Sequence, residues 1–501
     1  MQNPPRHILS KSTFMKGCQC PKALWLYKHK PELKTEVSEQ QQAIFDQGTS
    51  VGKLAEQLFP DGVDARPENT FAYQQSVVDT QKYILEGHKV IYEAAFQYDQ
   101  VLAALDILVC NRGKWKAYEV KSSTSVSDAI LQDAALQYYV ITQSGLPLVD
   151  FSIVYINNEY VREGDLDVQK LFVIESVLEK ILELQPMIAA KIPELKRVAM
   201  LVKEPKRDIG PHCSDPYGCD FMEHCWQHIP EDSVFDLRGH GSGSKAFELY
   251  EQGILLLNDI PDDFKLNISQ QIQVSAHKSK QPVINRDALG EFLDQLEYPL
   301  YFMDFETFQS AVPEYDGTRP YQQIPFQFSV HRLDTLGAEL VHFEWLGESG
   351  SDSRKDFIEN LLDVMGKTGS VVTYNSSFEK VRLSEMAIQF PQNAKKIEAL
   401  QERIIDLMNP FRSKHYYLPI MKGSYSIKQV LPALVPELSY NDLEIGNGGL
   451  ASSSYYQMQF EKDIVVFEKT REALLRYCEL DTLAMVEILN KINQILKNSI
   501  N

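Results

Sequence analysis

Apolar residues in the first half of the chain form short runs and helical repeats that are separated by turn residues. The short runs predict strands at residues 90–96, 101–109, 114–122 and 149–155. The helical repeats predict helices at 21–28, 40–59, 127–143 and 166–184, and the last of these is expected to end before Pro186. Strands that meet helices in this order are typical of an α/β domain.

The second half repeats this alternation in a different order. Strands are predicted at residues 300–305, 326–332, 340–345 and 370–373, and helices at 356–366, from Phe378, from Ser426 and at 470–497. A glycine- and serine-rich stretch at 238–244 separates the halves and indicates a linker. We therefore predict an α/β protein with two domains, residues 1–230 and 285–501, joined by a helical connector at 231–284.

The charge of the chain limits its possible partners. Its 501 residues include 69 acidic and 50 basic ones, so the formal net charge is −19. This excludes a polybasic coat for nucleic acid, and any nucleic-acid site must be a local basic or metal-filled groove. No apolar run approaches the roughly 18 residues of a membrane helix, and the first six residues lack the apolar core of a signal peptide. We expect a cytoplasmic protein with no membrane partner.

A carboxylate interrupts the apolar strand predicted at 101–109. Asp106 needs a partner there, because burying an unpaired charge is costly. Glu119 and Lys121 lie two residues apart and share one face of the next strand. Two carboxylates can hold Mg²⁺, and a nearby lysine can orient the attacking water or stabilise charge on a phosphoryl group. A solvated charged face is the alternative.

The order Asp106, then Glu119-Val120-Lys121, resembles the PD-(D/E)XK nucleases, which have a restriction-endonuclease-like fold. The resemblance implies a catalytic metal site formed by Asp106 and Glu119, with Lys121 as the catalytic lysine.

Further positions resemble the RecB-like members of that family. Gln132 or Gln137, with Tyr138, lies on the following helix, where those members carry a glutamine and a tyrosine. Many members also have a metal-binding histidine on the first helix, and the equivalent stretch of this chain has none. Glu56 or Glu93 is the candidate substitute.

Three of the seven cysteines, Cys213, Cys219 and Cys225, lie within thirteen residues. In a reducing compartment such a cluster indicates a metal or Fe–S site rather than disulfides. Thiolates suit both zinc and Fe–S clusters, but zinc knuckles usually space their ligands as close pairs. Cys20, or its rival Cys18, is the candidate for a distant fourth ligand. A zinc site completed by a nearby histidine is the alternative, with three candidates: His212, His224 and His228.

One early cysteine and three late ones resemble the Fe–S clasp of RecB-like exonucleases, including the CRISPR-associated exonucleases and the AddB subunit. The resemblance covers about residues 9–226 and includes the opening Leu9-Ser10-Lys11-Ser12. It implies a [4Fe–4S] cluster, and Cys20 is preferred over Cys18 because a proline follows it as in the family. The implied ligands are Cys20, Cys213, Cys219 and Cys225.

Acidic residues also interrupt the first strand predicted in the second half. Asp304 and Glu306 lie two apart and point the same way. Because like charges this close repel, a bound cation explains them better than a bare surface does. Tyr477 and Asp481 lie four apart on the last helix and share a face, and Glu379 follows the strand at 370–373.

Asp304-Phe305-Glu306, residues 375–379 and residues 477–481 resemble, in this order, the three motifs of the DEDD 3′–5′ exonucleases of the tyrosine subtype. That family has an RNase H-like fold, and the resemblance covers about residues 299–497. It implies two Mg²⁺ or Mn²⁺ ions and a tyrosine, Tyr477, that orients the attacking water. The implied metal ligands are Asp304, Glu306, Glu379 (an aspartate in the family) and Asp481.

Two weaker candidates lie between these motifs. Residues 423–431 resemble the family's Ser-Leu helix start, where Lys428 and the first amides could meet a phosphate. A plain capped helix is the alternative. Asp406 is a further acidic candidate, with a structural role as its alternative.

Together these features resemble a bacterial fusion of an Fe–S RecB-like nuclease domain with an RNase H-like exonuclease. We expect metal-dependent hydrolysis of nucleic acid, DNA in preference to RNA, with 3′–5′ exonuclease activity in the C-terminal domain. The N-terminal domain is expected to be a second nuclease or to grip the strand. A nucleic-acid-binding adaptor in which neither site cuts is the alternative. DNA repair or defence is the expected setting.

Overall fold

A computed structural model describes residues 7–69 and 72–497. The first six residues, on which the expectation about a signal peptide depends, lie outside this described part. The protein is a mixed α/β protein that divides into two compact units. Unit 1 comprises Met1–His228 and Ser310–Gln322, and unit 2 comprises Ile229–Gln309 and Gln323–Asn501. None of the described helices is both long and apolar enough to span a bilayer.

Unit 1 is built on a seven-stranded sheet. Its strands are β1 (Leu9–Ser10), β2 (Val63–Asp64), β3 (Val90–Tyr98), β4 (Val101–Asn111), β5 (Lys114–Lys121), β6 (Leu148–Ile156) and β7 (Phe172–Ser176). The order is β2-β3-β4-β5-β6-β7, and β1 pairs with β4. β3, β4 and β5 are antiparallel neighbours, whereas β5 and β6 are parallel. The four predicted strands of this half are all present, with bounds within two residues of the prediction.

The helices of unit 1 pack against this sheet and include the amphipathic segments expected from the sequence. They are α1 (Lys11–Gln19), α2 (Pro21–His29), α3 (Glu39–Ala55), α4 (Tyr73–Glu86), α5 (Asp128–Gln143), α6 (Val168–Leu171), α7 (Leu178–Ala199) and α8 (Met222–Cys225). Ser127 caps α5, because its side chain accepts a hydrogen bond from the backbone N–H of Ile130.

The prediction of one helix at residues 166–184 is wrong. The segment instead forms α6 and then β7, which pairs with β6 at the edge of the sheet. The following helix, α7, continues through Pro186 and Pro193, where the prediction ended a helix. Each proline removes one backbone hydrogen bond, but α7 buries Ile181, Ile188 and Ile192 in the core of unit 1, which offsets this loss.

A thirteen-residue segment from the second half of the sequence belongs to unit 1. In Ser310–Gln322, Ala311 is fully buried in a cluster that includes Val51 and Tyr160, and Tyr321 packs against the same cluster. Arg162 donates to the backbone oxygens of Pro313 and Glu314, both at 3.0 Å. The two-domain division by sequence assigns this segment to the C-terminal domain. Only long-range packing shows that this segment belongs to unit 1, and the periodicity of the sequence does not reveal such packing.

Unit 2 contains a five-stranded sheet and a two-stranded ribbon. Its strands are β8 (Val283–Ile284), β9 (Leu300–Phe308), β10 (Ile324–Leu333), β11 (Leu340–Leu346), β12 (Val371–Thr373), β13 (Ile404–Asp406) and β14 (Tyr416–Tyr417). The larger sheet has the order β11-β10-β9-β12-β13, and β8 pairs with β14. β9, β10 and β11 are antiparallel, whereas β12 runs parallel to both β9 and β13.

The helices of unit 2 are α9 (Ser242–Glu251), α10 (Ile268–Ser279), α11 (Arg286–Leu293), α12 (Arg354–Val364), α13 (Ser377–Gln389), α14 (Ala394–Gln401), α15 (Asn409–Arg412), α16 (Ile427–Leu434), α17 (Gly448–Met458) and α18 (Ile464–Lys497). The predicted connector, 231–284, lies within this unit and is not a separate body. Its strand β8 pairs with β14, which joins it to the rest of the unit, and buried Gln273 hydrogen-bonds the backbone of Asp236 and Arg238 within the segment.

The two faces of β9 carry different chemistry. Tyr301, Met303 and Phe305 point into an apolar core that α12, α13 and α14 complete. The alternate residues Asp304 and Glu306 therefore point to the opposite face. The long helix α18 packs against β9 and β10, so the register of β9 delivers two carboxylates to a site beside α18.

Candidate functional site

Three carboxylates of unit 2 converge beside α18. Asp304 and Glu306 from β9 and Asp481 from α18 each offer an oxygen, and the three oxygens lie within 4.8 Å of one another. Glu379, on the first turn of α13, lines the same cavity of about 240 Å³. Of the four residues, Glu379 is the most buried, at 1% exposure, and its Oε2 has no hydrogen-bond partner among the described residues. The structure thus brings together all four predicted acidic ligands.

The electrostatics of this acidic cluster are unfavourable without a cation. Burial, followed by repulsion from Asp481, Glu306 and Glu379, raises the pKa of Asp304 well above its usual value. Burial and Asp481 likewise raise the pKa of Glu306, although Lys428 opposes the shift. Burial raises the pKa of Glu379 to about 8. In the described chain no lysine or arginine forms an ion pair with any of the four carboxylates.

Three polar side chains surround Asp481. Tyr477 lies one helical turn before it on α18 and lines the acidic cavity. Tyr440, which the sequence analysis missed, donates a hydrogen bond of 2.6 Å to Oδ1 of Asp481. Lys428 lines the cavity too, but its Nζ donates to the backbone oxygen of Gly446 at 2.8 Å. Tyr440 lies in an irregular segment, so neither periodicity nor motif spacing could have identified it.

Asp406 has a structural role. Its Oδ1 accepts hydrogen bonds from the backbone N–H groups of Asn375 and Met408, both at 3.0 Å. Asn375 adopts a positive φ of 78° at the turn between β12 and α13. Asp406 therefore holds the turn that aims α13, and with it Glu379, at the acidic cavity. The structural alternative considered for Asp406 is the one the geometry supports.

A larger cleft adjoins the acidic cavity. Its volume is about 680 Å³, and it shares Tyr374, Asn375 and Ile427 with the smaller cavity. Arg238 and Arg412 line it. A further tyrosine, Tyr425, also lines it. Arg238 lies in the stretch that the sequence marks as a linker, which is why its place beside this site was not foreseen.

The predicted residues of unit 1 also meet, but they are already paired with cations. Lys11 and Lys121 both donate to Oε1 of Glu119, at 2.6 and 2.7 Å. Lys121 also donates to Asp133 at 2.7 Å. Asp106 accepts a hydrogen bond of 2.6 Å from the backbone N–H of Val120. The Nζ of Lys121 therefore lies between the carboxylates of Glu119 and Asp133.

These lysines change the acidity of the cluster. Burial alone would raise the pKa of Glu119, but Lys11 and Lys121 outweigh burial and lower it. Burial and repulsion from Glu119 raise the pKa of Asp106. Glu119 Oε2 is buried without a hydrogen-bond partner in the described part of the chain. A cation in unit 1 would therefore have to use this oxygen and Asp106.

The other predicted members of the unit 1 site lie in three different environments. Gln137 is fully buried and lies 3.4 Å from Oδ1 of Asp133, so it belongs to the network. Tyr138 instead packs against the apolar core. Glu56 and Glu93 both bind Arg66, at 3.1 and 3.4 Å.

Lys11 and Asp133 were missed as members of this network. Lys11 is 108 residues away from Glu119 in sequence, and no local pattern predicts such a pairing.

The structure distinguishes Cys20 from Cys18, the two candidates for the fourth ligand. Cys20, Cys213, Cys219 and Cys225 line one cavity. Cys18 packs against the apolar core instead. Of the three candidate histidines, His212 lines the cavity, with its Nε2 3.9 Å from Cys213 Sγ, whereas His224 and His228 are not among its lining residues. All the cysteines are free thiols, so four thiols from two distant parts of the sequence are available to one ligand.

Comparisons with known proteins match one segment of the chain to a domain family whose function is unknown. Residues 301–426 match the model of a domain of unknown function, DUF2779. This segment includes Asp304, Glu306 and Glu379, and ends before Tyr477 and Asp481.

Three curated relatives are described as uncharacterized proteins. UU173 of Ureaplasma parvum is 26% identical over 45% of this chain and 36% of its own length. MG366 of Mycoplasma genitalium is 28% identical over 41% of this chain and 34% of its own length. The MG366 homolog of Mycoplasma pneumoniae is 29% identical, over 41% and 33%. The matches span about a third of the length of these relatives.

Proposed function

We propose that unit 2 is a metal-dependent nuclease that hydrolyses phosphodiester bonds in DNA, as a 3′–5′ exonuclease. The observation that carries this proposal is the convergence of Asp304, Glu306 and Asp481 within 4.8 Å, with Glu379 lining the same cavity. Hard carboxylate oxygens are the ligands that suit Mg²⁺ and Mn²⁺. Oε2 of Glu379, which is buried and has no hydrogen-bond partner in the described part of the chain, fits the same requirement.

The chain's own groups have distinct tasks in this reaction. Two ions bound by the four carboxylates would supply an activated water and stabilise the leaving oxygen. Tyr477 would orient the attacking water from α18, and Tyr440 holds Asp481 in place through its hydrogen bond. Lys428, on the first turn of α16, adds a positive charge at the edge of the cavity. Within the described structure the Ser426 side chain makes no capping hydrogen bond, so the first amides of α16 lack that partner.

The adjoining cleft supports a polymeric substrate. Arg238 and Arg412 provide positive charge for backbone phosphates, and Tyr374 and Tyr425 provide aromatic rings on which bases can stack. Because this cleft shares lining residues with the acidic cavity, a strand bound in it would reach the carboxylates. The arginines make this cleft locally basic, as the nucleic-acid site of a chain with a net negative charge must be.

End-labelled DNA and RNA, single- and double-stranded, incubated with purified protein and Mg²⁺ or Mn²⁺ test this proposal. Asp304→Asn should remove stepwise release of mononucleotides from the 3′ end. Asp363→Asn, an exposed residue on α12 of the same unit, is the matched control and should cut like the parent. Binding of DNA without cleavage by the parent, with either ion, would instead identify an adaptor.

We further propose that Cys20, Cys213, Cys219 and Cys225 hold a [4Fe–4S] cluster in unit 1, with zinc as the alternative. Four free thiols around one cavity match the ligand set of such a cluster. Anaerobically purified protein should contain roughly four iron atoms per chain, as expected for a cubane. Cys20→Ser should lose the iron and Cys18→Ser should keep it. Stoichiometric zinc in place of iron would decide for the alternative.

A further inference from the structure

A second group of metal-ligand side chains lies in unit 2, on a different part of the sheet. His331 of β10 and His342 of β11 are directly paired across the two strands, and their rings stack with centroids 4.4 Å apart. Glu479 of α18 lies beside them. One ligand atom from each of the three residues lies within 4.8 Å of the others. The proposed exonuclease uses none of these side chains.

A hydrogen-bond network fixes both imidazoles. Nδ1 of His331 lies 2.8 Å from Thr482 Oγ1, and Nε2 of His342 lies 3.0 Å from Ser329 Oγ. The two hydroxyl oxygens are 2.7 Å apart. Thr482 Oγ1 also donates to the backbone oxygen of Glu479 at 3.0 Å.

The donors and acceptors of this network determine which nitrogen of each imidazole donates a proton. Thr482 has one hydroxyl proton, and the bond to the Glu479 carbonyl uses it. Thr482 must then accept from its two other neighbours, the Nδ1–H of His331 and the hydroxyl of Ser329. With its own proton given to Thr482, Ser329 accepts from the Nε2–H of His342. In the neutral rings this network leaves one lone pair open on each: Nε2 of His331 and Nδ1 of His342.

The free lone pair of His342 faces a carboxylate. Its Nδ1 is 3.8 Å from Oε1 of Glu479, and in this tautomer neither atom carries a proton. Two ligands of a tetrahedral zinc ion, each bonded at about 2.0–2.1 Å, lie roughly 3.3 Å apart. In each ring a hydroxyl oxygen takes the place beside the second nitrogen that a carboxylate, a backbone carbonyl or water usually takes beside a metal-binding histidine. Glu479 is half-exposed, with 47% of its side chain accessible, so water can complete the coordination.

We propose that His331, His342 and Glu479 form a binding site for a zinc-type divalent ion, separate from the acidic cluster. Two imidazoles and one carboxylate favour zinc or a similar transition metal over Mg²⁺. The ion would join β10 and β11 to α18. Ser329 is paired with Asp304 across β9 and β10, and Thr482 follows Asp481. The site would therefore stabilise the arrangement of strands and helix that holds the acidic cluster.

Zinc titration calorimetry on the 501-residue protein tests this site, in buffer with excess Mg²⁺ to occupy the acidic cluster. The parent should bind one more equivalent of zinc than either Glu479→Gln or His342→Asn. Glu472→Gln removes the same charge from an exposed position on α18 and should bind as much zinc as the parent. Cysteine-bound metal is common to all four proteins and cancels in the comparison.

Equal zinc stoichiometry in the parent and both variants would overturn the proposal. If Glu479→Gln keeps the stoichiometry but lowers the pKa of His342, measured by NMR, then the contact is an ion pair to a protonated imidazole and the metal site is rejected. Glu479→Gln changes a half-exposed side chain, so a misfolded variant does not obscure the result. Cleavage activity is not the readout, and the outcome is independent of the proposed nuclease function.

Discussion

The two carboxylate clusters use similar residues and differ in what neutralises them. In unit 1, Glu119 is held by Lys11 and Lys121, and its pKa falls. In unit 2, Asp304 and Glu306 have no ion-pair partner among the described residues, and the pKa of each rises. Both clusters lie on strand faces that a sequence motif identifies. The two clusters differ because lysine side chains of the chain itself pair with the carboxylates of unit 1.

This difference has a physical consequence for metal binding. A divalent ion entering the acidic cluster of unit 2 would relieve repulsion that no ion pair among the described residues relieves. An ion entering unit 1 must compete with two ammonium groups that already compensate Glu119 and Asp133. We therefore expect cleavage to depend on unit 2, with unit 1 contributing strand binding.

The largest expected effect separates the two clusters by activity. Asp304→Ala should reduce 3′-end cleavage by at least about a thousandfold, because metal stabilisation of the transition state is worth several kcal/mol. Glu119→Gln should leave cleavage within about threefold, less than a 1 kcal/mol change in the barrier. Rates on end-labelled single-stranded DNA measure both. The reverse pattern, with Glu119→Gln inactive and Asp304→Ala active, would show that unit 1 is the nuclease.

Removing a cation from unit 1 should cost stability. Lys11→Met leaves Glu119 with Lys121 as its only cation, and we expect unit 1 to lose about 1–3 kcal/mol in its free energy of unfolding. Urea unfolding followed by tryptophan fluorescence would report the change, because three of the four tryptophans, Trp25, Trp115 and Trp226, lie in unit 1. Lys16→Met also removes a lysine of α1 that binds an acidic residue, Asp220, but both partners are partly exposed and its effect should be below about 1 kcal/mol. Equal stability losses would contradict the assigned role of Lys11.

The tyrosines around Asp481 should have smaller effects than its removal. Tyr477→Phe keeps every metal ligand and removes one hydroxyl, so cleavage should fall by about tenfold, the value of one hydrogen bond. Tyr440→Phe should lower the cleavage rate by a similar factor, because Asp481 loses the hydrogen bond that positions it. The same variant should need a higher Mn²⁺ concentration to reach half of its maximal rate. Rates over a range of metal concentrations separate the two effects. An unchanged metal dependence in Tyr440→Phe would show that its hydrogen bond does not position the ligand.

The smallest expected effect has the opposite sign. Without divalent metal, Asp304→Asn should stabilise unit 2 by about 1 kcal/mol, or roughly 2–4 °C in Tm, because it removes one of the mutually repelling charges. With Mn²⁺ the parent should gain more stability than the variant, because the parent binds the ion more tightly. Thermal unfolding in EDTA and in Mn²⁺ measures both. A variant that is less stable in EDTA would mean that Asp304 has a cationic partner.

Local pattern was sufficient for most of the fold. The apolar runs at 90–96, 101–109 and 149–155 predicted strands to within two residues, since burial of both faces leaves a clear signal. The segment at 166–184 was mispredicted because α6, β7 and the start of α7 follow one another without turn residues of glycine or proline between them. Proline inside α7 is tolerated only through tertiary packing, which sequence propensity cannot report.

Prediction of the sites was limited in the same way, by contacts between residues that are distant in sequence. The i, i+2 spacing of Asp304 and Glu306 and the i, i+4 spacing of Tyr477 and Asp481 placed these residues on their correct faces. The pairing of Lys11 with Glu119 and the hydrogen bond from Tyr440 to Asp481 depend on contacts 108 and 41 residues apart. Such contacts decide whether a carboxylate is neutralised or free, so sequence alone identified the acidic residues but not their charge state.

The segment Ser310–Gln322 also affects how the protein can be made and divided. Its residues Ala311 and Tyr321 complete an apolar cluster of unit 1, and they follow the rest of that unit by more than eighty residues of sequence. During synthesis unit 1 therefore cannot acquire its full core until β9 of unit 2 has left the ribosome. A fragment cut at His228 would expose the surface around Tyr160 that this segment covers, and would be prone to aggregation. Expression of unit 1 on its own therefore requires these thirteen residues to be grafted onto the fragment.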